Sequence, residues 1–212
     1  MEENNNMTAE RSLEIIMQEI ESSRRTISAN LAPSLISWGT LVFVFALLIS
    51  YLWNHHGGPV WNVLWAVMWG CGYLEEWLIN KRRPSVPNSI ISKTIGQVWS
   101  TFGLFIGAIG ILFGLALGGV LPSLLTVPDA DVMGTLYINL TSIISLCFGI
   151  ASTITGFILK NRFIQTCGFI AGLGGFFGAI QFPGADQLYV MAAVALIGLI
   201  VPGLIIYSTK KR

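Results

Sequence analysis

Charged side chains are scarce in this 212-residue chain: Asp, Glu, Lys and Arg together make up 11% of it, against about 25% in a soluble globular domain. So small a polar share argues against a water-soluble domain and for a bilayer as the main solvent. No field of one sign is present either, the formal net charge being +1, so nucleic acid is not expected as a partner. Cysteine is limited to Cys71, Cys147 and Cys167, all inside apolar runs. Their spacing suits neither a zinc site nor a disulfide framework, and buried thiols are expected. His55 and His56 are adjacent in a short interval with Asn54 and Gly57. No Cys or nearby acid completes a metal set there, so solvated imidazoles in a turn are expected. A Ser/His/Asp or Cys/His set, a P-loop and an HExxH are all missing, and the intervals between apolar runs are too short for a catalytic domain. The expectation is a non-enzymatic protein with no catalytic residue, no cofactor and no metal.

What the chain does have is apolar length. Hydrophobic residues make up 53%, and six runs, 35–53, 60–79, 95–117, 135–159, 163–182 and 188–207, are each long enough to cross a hydrocarbon core of ~30 Å as a helix. A signal peptide is not expected: residues 1–34 are polar with six glutamates, and no small-residue cleavage site follows the first run. All twelve Lys and Arg residues fall in four clusters. They are Arg11, Arg24 and Arg25; Lys81, Arg82, Arg83 and Lys93; Lys160 and Arg162; and Lys210, Lys211 and Arg212. The alternate intervals, 54–59, 118–134 and 183–187, carry none. Basic short loops stay in the cytoplasm, so this alternation gives six spans with both termini inside. Trp38, Trp53, Trp61, Trp77, Trp99 and Tyr207 lie near the run ends, as an interfacial aromatic belt requires. The fold class is all-α, a polytopic bundle of six transmembrane helices. A cytoplasmic amphipathic helix precedes it within 1–34, and a basic cytoplasmic segment, 208–212, follows.

In that tail, Leu13, Ile16, Ile20 and Ile27 recur at helical spacing, with Met17 and Leu31 beside them and Glu14, Gln18, Glu21 and Arg25 opposite. Thr8 suits an N-cap, and Pro33 is expected to break or bend the helix at Ala32. The stripe needs burial. Six acids against three bases make an anionic lipid surface a poor place for it, so it is expected to dock a cytosolic or membrane protein, its own bundle, or a second copy of the chain.

Small and bulky residues are also patterned. The third run carries Gly103, Gly107, Gly110, Gly114 and Gly118, and the fifth carries Gly168, Gly172, Gly174, Gly175 and Gly178. Glycines four apart let helix backbones approach closely, within the bundle or between copies. The second run carries Trp61, Trp65, Trp69, Tyr73 and Trp77 along one ridge, expected to lie in the groove left by the glycines of the third or fifth. Glu75 and Glu76 are the only acids inside an apolar run. They are candidate functional positions because an ionisable group in a membrane is costly. An interfacial role with Lys81, Arg82 or Arg83 competes with a proton or cation site. The fourth run is rich in hydroxyls (Thr141, Ser142, Ser145, Ser152, Thr153, Thr155) and opens on Asn139. With Gln165 and Gln181 these residues suit either a hydrophilic path in a small oligomeric transporter or channel, or interhelical hydrogen bonds. Pro202 is expected to kink the last run.

Residues 7–16 (MTAERSLEII) and 34–39 (SLISWG) resemble the opening of a family of six-span membrane proteins of Bacteroidota that have no established activity. The resemblance covers about the first fifty residues. It implies a bacterial inner membrane and a cytoplasmic N-terminus, and it carries no catalytic residue. The expected role is an accessory or scaffold protein docking a partner through its N-terminal helix, with membrane lipid around it.

Overall fold

The computed structural model describes residues 9–82, 90–117 and 139–210. Among them the chain is helical throughout, with no strand. Helix α1 (Ala9–His56) is 48 residues long. A 3-10 turn at Pro59–Val63 leads into α2 (Leu64–Arg82). Helices α3 (Ile90–Leu117), α4 (Leu140–Ile158) and α5 (Arg162–Gln181) follow. The last helix is α6 (Gln187–Ala195), a π turn at Leu196–Ile200 and α7 (Val201–Lys210) without interruption. Among the described residues five helical segments are long and apolar enough to cross a membrane: Arg11–His56, Ile90–Leu112, Leu140–Ile158, Arg162–Gln181 and Gly184–Thr209. Helix α2, with Glu75, Glu76, Lys81 and Arg82 in its 19 residues, is not among them.

Of the break or bend expected at Pro33, the break does not occur. Helix α1 runs through it because both sides of the proline pack on the same neighbours. Ile27, Ala32 and Leu35 are buried in one cluster with Ile95, Leu159 and Ile206. Gly203 lets α7 close on α1: a Cβ there would stand 2.7 Å from Ile36 and 3.2 Å from the Ala32 carbonyl. Gly39 does the same from the other side, against Leu199 and Ile200. The last helix also continues through Pro202. The π turn precedes it, and Val201 N–H reaches back to the carbonyl of Leu196, so the ladder widens by one residue before the ring that cannot donate. Thr8, the expected N-cap, lies outside the described residues. His55 and His56 form the last turn of α1 rather than an extended loop, with His55 stacked on Tyr51.

The closest helix pair is α4 with α5, joined by a three-residue turn in which Lys160 takes the left-handed conformation at φ 52. Asn161 caps α5, its Oδ1 accepting from Phe163 N and Ile164 N at 3.0 and 3.2 Å. A Cβ on Gly149 would stand 2.3 Å from Gly172 Cα, and one on Gly168 2.7 Å from Thr153 N. Gly175 meets Ser145 and Val194 in the same way. Gly168, Gly172 and Gly175 of the fifth run therefore face the small residues of the fourth, not the tryptophans of the second, while Gly178 meets Val190 and Gly174 is open. In α3, by contrast, Gly107 and Gly110 have no heavy atom near a would-be Cβ, and Gly103 meets only Trp69, at 3.6 Å. The surroundings of Gly114 and Gly118 lie outside the description.

Adding a methyl group separates the two kinds of glycine. Gly149→Ala is expected to lower stability by about 1–3 kcal/mol, because two backbones must part. Gly107→Ala is expected to be neutral or to gain up to about 1 kcal/mol, as an open helical glycine replaced by alanine does. Thermal unfolding of the two purified variants beside the wild type measures both; equal losses would contradict the packing described.

Candidate functional site

The sequence candidates fall into three places. The first is the α1–α2 contact. Glu76 turns toward α1, where Trp38 Nε1 donates to its Oε2 at 2.8 Å and Ser34 Oγ to its Oε1 at 3.4 Å. Trp38 also meets Trp69 and Tyr73 edge-on, with centroids 5.4 and 5.9 Å away. Gly72 makes room for it: a Cβ there would stand 2.4 Å from the indole. The aromatic ridge of α2 is thus met mainly by α1. Trp65 packs beside Ala46, Val42 and Phe43 and donates to Asn62, while Trp61 donates to the carbonyl of His56. Lys81, an expected partner for the glutamates, sits instead over the Trp77 ring at 5.2 Å. Arg83 and the side chain of Arg82 lie outside the description.

Glu75 has the opposite environment. Adjacent residues on a helix are about 100° apart, so Glu75 faces a different groove. It lines an open cleft of about 460 Å³ with Pro33, Ile36, Ser37, Thr40 and Leu41 of α1 and Tyr207 of α7. The two carboxylates do not share one site, which removes the geometry of a coupled acid pair.

The second place is the hydroxyl-rich interior of α4. Asn139 is buried: Nδ2 donates to the Ala179 carbonyl, and Oδ1 accepts from Ser142 N and Ser142 Oγ at 2.8 and 2.7 Å. Thr155 Oγ1 accepts from Trp99 Nε1 at 3.1 Å and donates to the Ala151 carbonyl at 2.8 Å. Gln165 Nε2 donates to the Gly156 carbonyl at 3.1 Å. These groups are satisfied within or between helices, and Ser142, Ser145, Ser152 and Thr155 are fully buried against neighbours.

The third place is the N-terminal half of α1. Leu13, Ile16, Met17 and Ile20 are 59%, 54%, 64% and 43% exposed, whereas Ile27, further along the same stripe, is buried in the bundle. Leu31 also packs on that core. The stripe is rooted at one end and open at the other. Glu21 pairs with the exposed Arg25 at 3.7 Å and with the part-buried Arg24 at 3.9 Å, contacts worth a few tenths of a kcal/mol.

Trp38, Ser34, Ser37 and Tyr207 are the residues that sequence patterning missed. Trp38 reads as one more belt residue, yet an acid inside an apolar helix needs a donor, and an indole N–H on a neighbouring helix is one. Among the described residues no group of His, Cys, Asp and Glu stands ready to hold a metal ion. Compared with known proteins, the chain matches no family model, no curated protein and no solved structure.

Trp38→Phe deletes the shorter hydrogen bond to Glu76 while keeping an aromatic ring. A double-mutant cycle with Glu76→Gln, followed by thermal unfolding, is expected to show coupling of about 1–2 kcal/mol, as hydrogen bonds to charged groups do. Strictly additive losses would remove Trp38 from the role given to it.

Proposed function

We propose that this chain is a non-enzymatic six-span protein of a bacterial inner membrane that docks a cytosolic protein partner on the open half of α1. The observation that carries this reading is the apolar stripe Leu13–Ile16–Met17–Ile20, left exposed on a helix whose other end is fixed in the bundle. At 1.5 Å per residue α1 extends roughly 70 Å, about twice a hydrocarbon core. Its first half therefore stands in the cytoplasm when its second half spans. Helix α2 serves as the sixth span, Glu76 bonded to Trp38 near its cytoplasmic end. The one-sided basic clusters and the resemblance over 7–16 and 34–39 support the orientation and the bacterial inner membrane.

The partner is a basic amphipathic helix. Glu14, Glu19 and Glu21 rim the open stripe, with Arg11 as the only base between residues 11 and 21. Leu13, Ile20 and Ile27 stand seven residues apart on one ridge, and Ile27 already faces the bundle. A docked helix thus lies over the cytoplasmic end of the bundle. A second copy brings the same acidic rim, and like charges oppose that pairing. The transporter reading is less well supported, since the hydroxyls of α4 are taken up in helix packing.

The test is the pair Ile16→Asp, Ile20→Asp in the full chain. Stability should change by no more than about 0.5 kcal/mol per site, as at exposed positions. A photo-crosslinker placed at Met17 should give one hetero-adduct in membranes, lost by at least about a hundredfold in the pair, since two buried Ile contribute several kcal/mol. A crosslinker at Gln18, on the polar face, should give none. A Met17 adduct of twice the chain mass, or an unchanged hetero-adduct in the pair, would overturn docking as described.

A further inference from the structure

We propose that the cleft between α1, α2 and α7 binds a phospholipid by its primary amine, Glu75 receiving the ammonium group of phosphatidylethanolamine. Ile36 and Leu41 then line the start of an acyl chain. This rests on the six-span reading given above, but not on the docking of a partner. The cleft is open and its wall is mainly apolar. Glu75 is half-buried on that wall, and among the described residues it has no hydrogen-bond or ion-pair partner. Its neighbour Glu76 is engaged by Trp38 and Ser34, so that donor pair is not shared. A carboxylate over apolar surface calls for a cation that can share its desolvation.

Other polar groups at or beside the cleft can accept hydrogen bonds from such a cation. Ser37 Oγ lines it and has no partner among the described residues. Pro33, also in the wall, has no N–H, so the Ala29 carbonyl lacks its helical donor one turn toward the cytoplasm. An ammonium group brings three donors and no acceptor. A quaternary ammonium brings none, and an anionic glycerol headgroup brings the wrong charge. The depth also suits a headgroup: Glu75 is six residues before Lys81, roughly 9 Å along the axis, and Tyr207 is one turn before Lys210.

The full chain, purified in detergent and stripped of lipid, is offered equal amounts of phosphatidylethanolamine, phosphatidylcholine and phosphatidylglycerol, with bound lipid counted by native mass spectrometry. The wild type should retain the ethanolamine lipid at least about tenfold over the other two, the scale of one charge-assisted contact. Glu75→Gln should abolish that preference, while Glu76→Gln should keep it. Thr40→Trp, which fills the cleft without touching the carboxylate, should lower retention of the ethanolamine lipid. Equal retention of the three lipids, or an unchanged preference in Glu75→Gln, sinks the site. So does displacement of the lipid by free ethanolamine at equal concentration, which would make the ligand a soluble amine. A chain that stays in solution without detergent or lipid refutes the membrane reading itself, and this shows before any lipid is added.

Discussion

The contact of α1 with α7 across Pro33 is the constraint on which the remaining geometry depends. A proline inside a helix loses one backbone hydrogen bond and crowds the preceding turn, at a cost of about 3 kcal/mol. Here Gly203 and Gly39 let the last helix press against Ile36, the Ala32 carbonyl and the turn beyond them. Ile27 and Leu35 are held in one buried cluster on either side of the proline. The dispersion gained by that packing offsets the local loss, and the helix continues. Three consequences follow from its continuity. The first half of α1 points away from the bundle as an arm, Trp38 arrives level with Glu76, and Ser37 and Thr40 line the cleft beside Glu75.

A related constraint governs the polar groups in the rest of the bundle. Where water is excluded, a donor or acceptor left unpaired costs on the order of 1–3 kcal/mol. Asn139 satisfies the start of α4 and the end of α5 at once, by capping Ser142 and donating to Ala179. Thr155 Oγ1 accepts a hydrogen bond from the Trp99 indole N–H and donates one to the Ala151 carbonyl. These bonds tie α3 to α4 and α4 to α5, the second pair being the one that glycine packing already draws together. The hydroxyls of α4 are therefore small residues that also carry a donor, and both properties serve the interface.

Much of this was legible in the residues. Apolar run length marked the positions of five helices that can cross a membrane, because a 20-residue apolar run has few other uses. The glycine row of the fifth run announced close packing, though not its partner, since spacing reports that a ridge is low and not which helix lies on it. Pro33 shows where a local rule stops: it describes the isolated chain, whereas packing on both sides keeps α1 helical through it, while the π turn before Pro202 accommodates the donor that this proline lacks. The tryptophans of α2 read as one ridge seeking a groove, yet a single indole from α1 fills the gap at Gly72. One residue contributes no periodicity, so no pattern could show it.

Glu75 and Glu76 make the limit of sequence reading concrete. They are chemically identical neighbours, and every argument from composition or depth applies to both. A rotation of about 100° between adjacent residues places one carboxylate against Trp38 and Ser34 and the other on an open apolar wall. The first is consumed by structure, since its hydrogen bonds stabilise the α1–α2 contact and leave little capacity for a ligand. The second retains its full capacity, because no described side chain competes for it. In the proposed six-span arrangement the arm and this carboxylate would lie toward the same side of the membrane. Both belong to elements anchored on α1, one by its N-terminal half and one by its middle. The protein docking and the lipid binding proposed above would then be two uses of a single helix, separated by the turn at Pro33 that the bundle keeps intact.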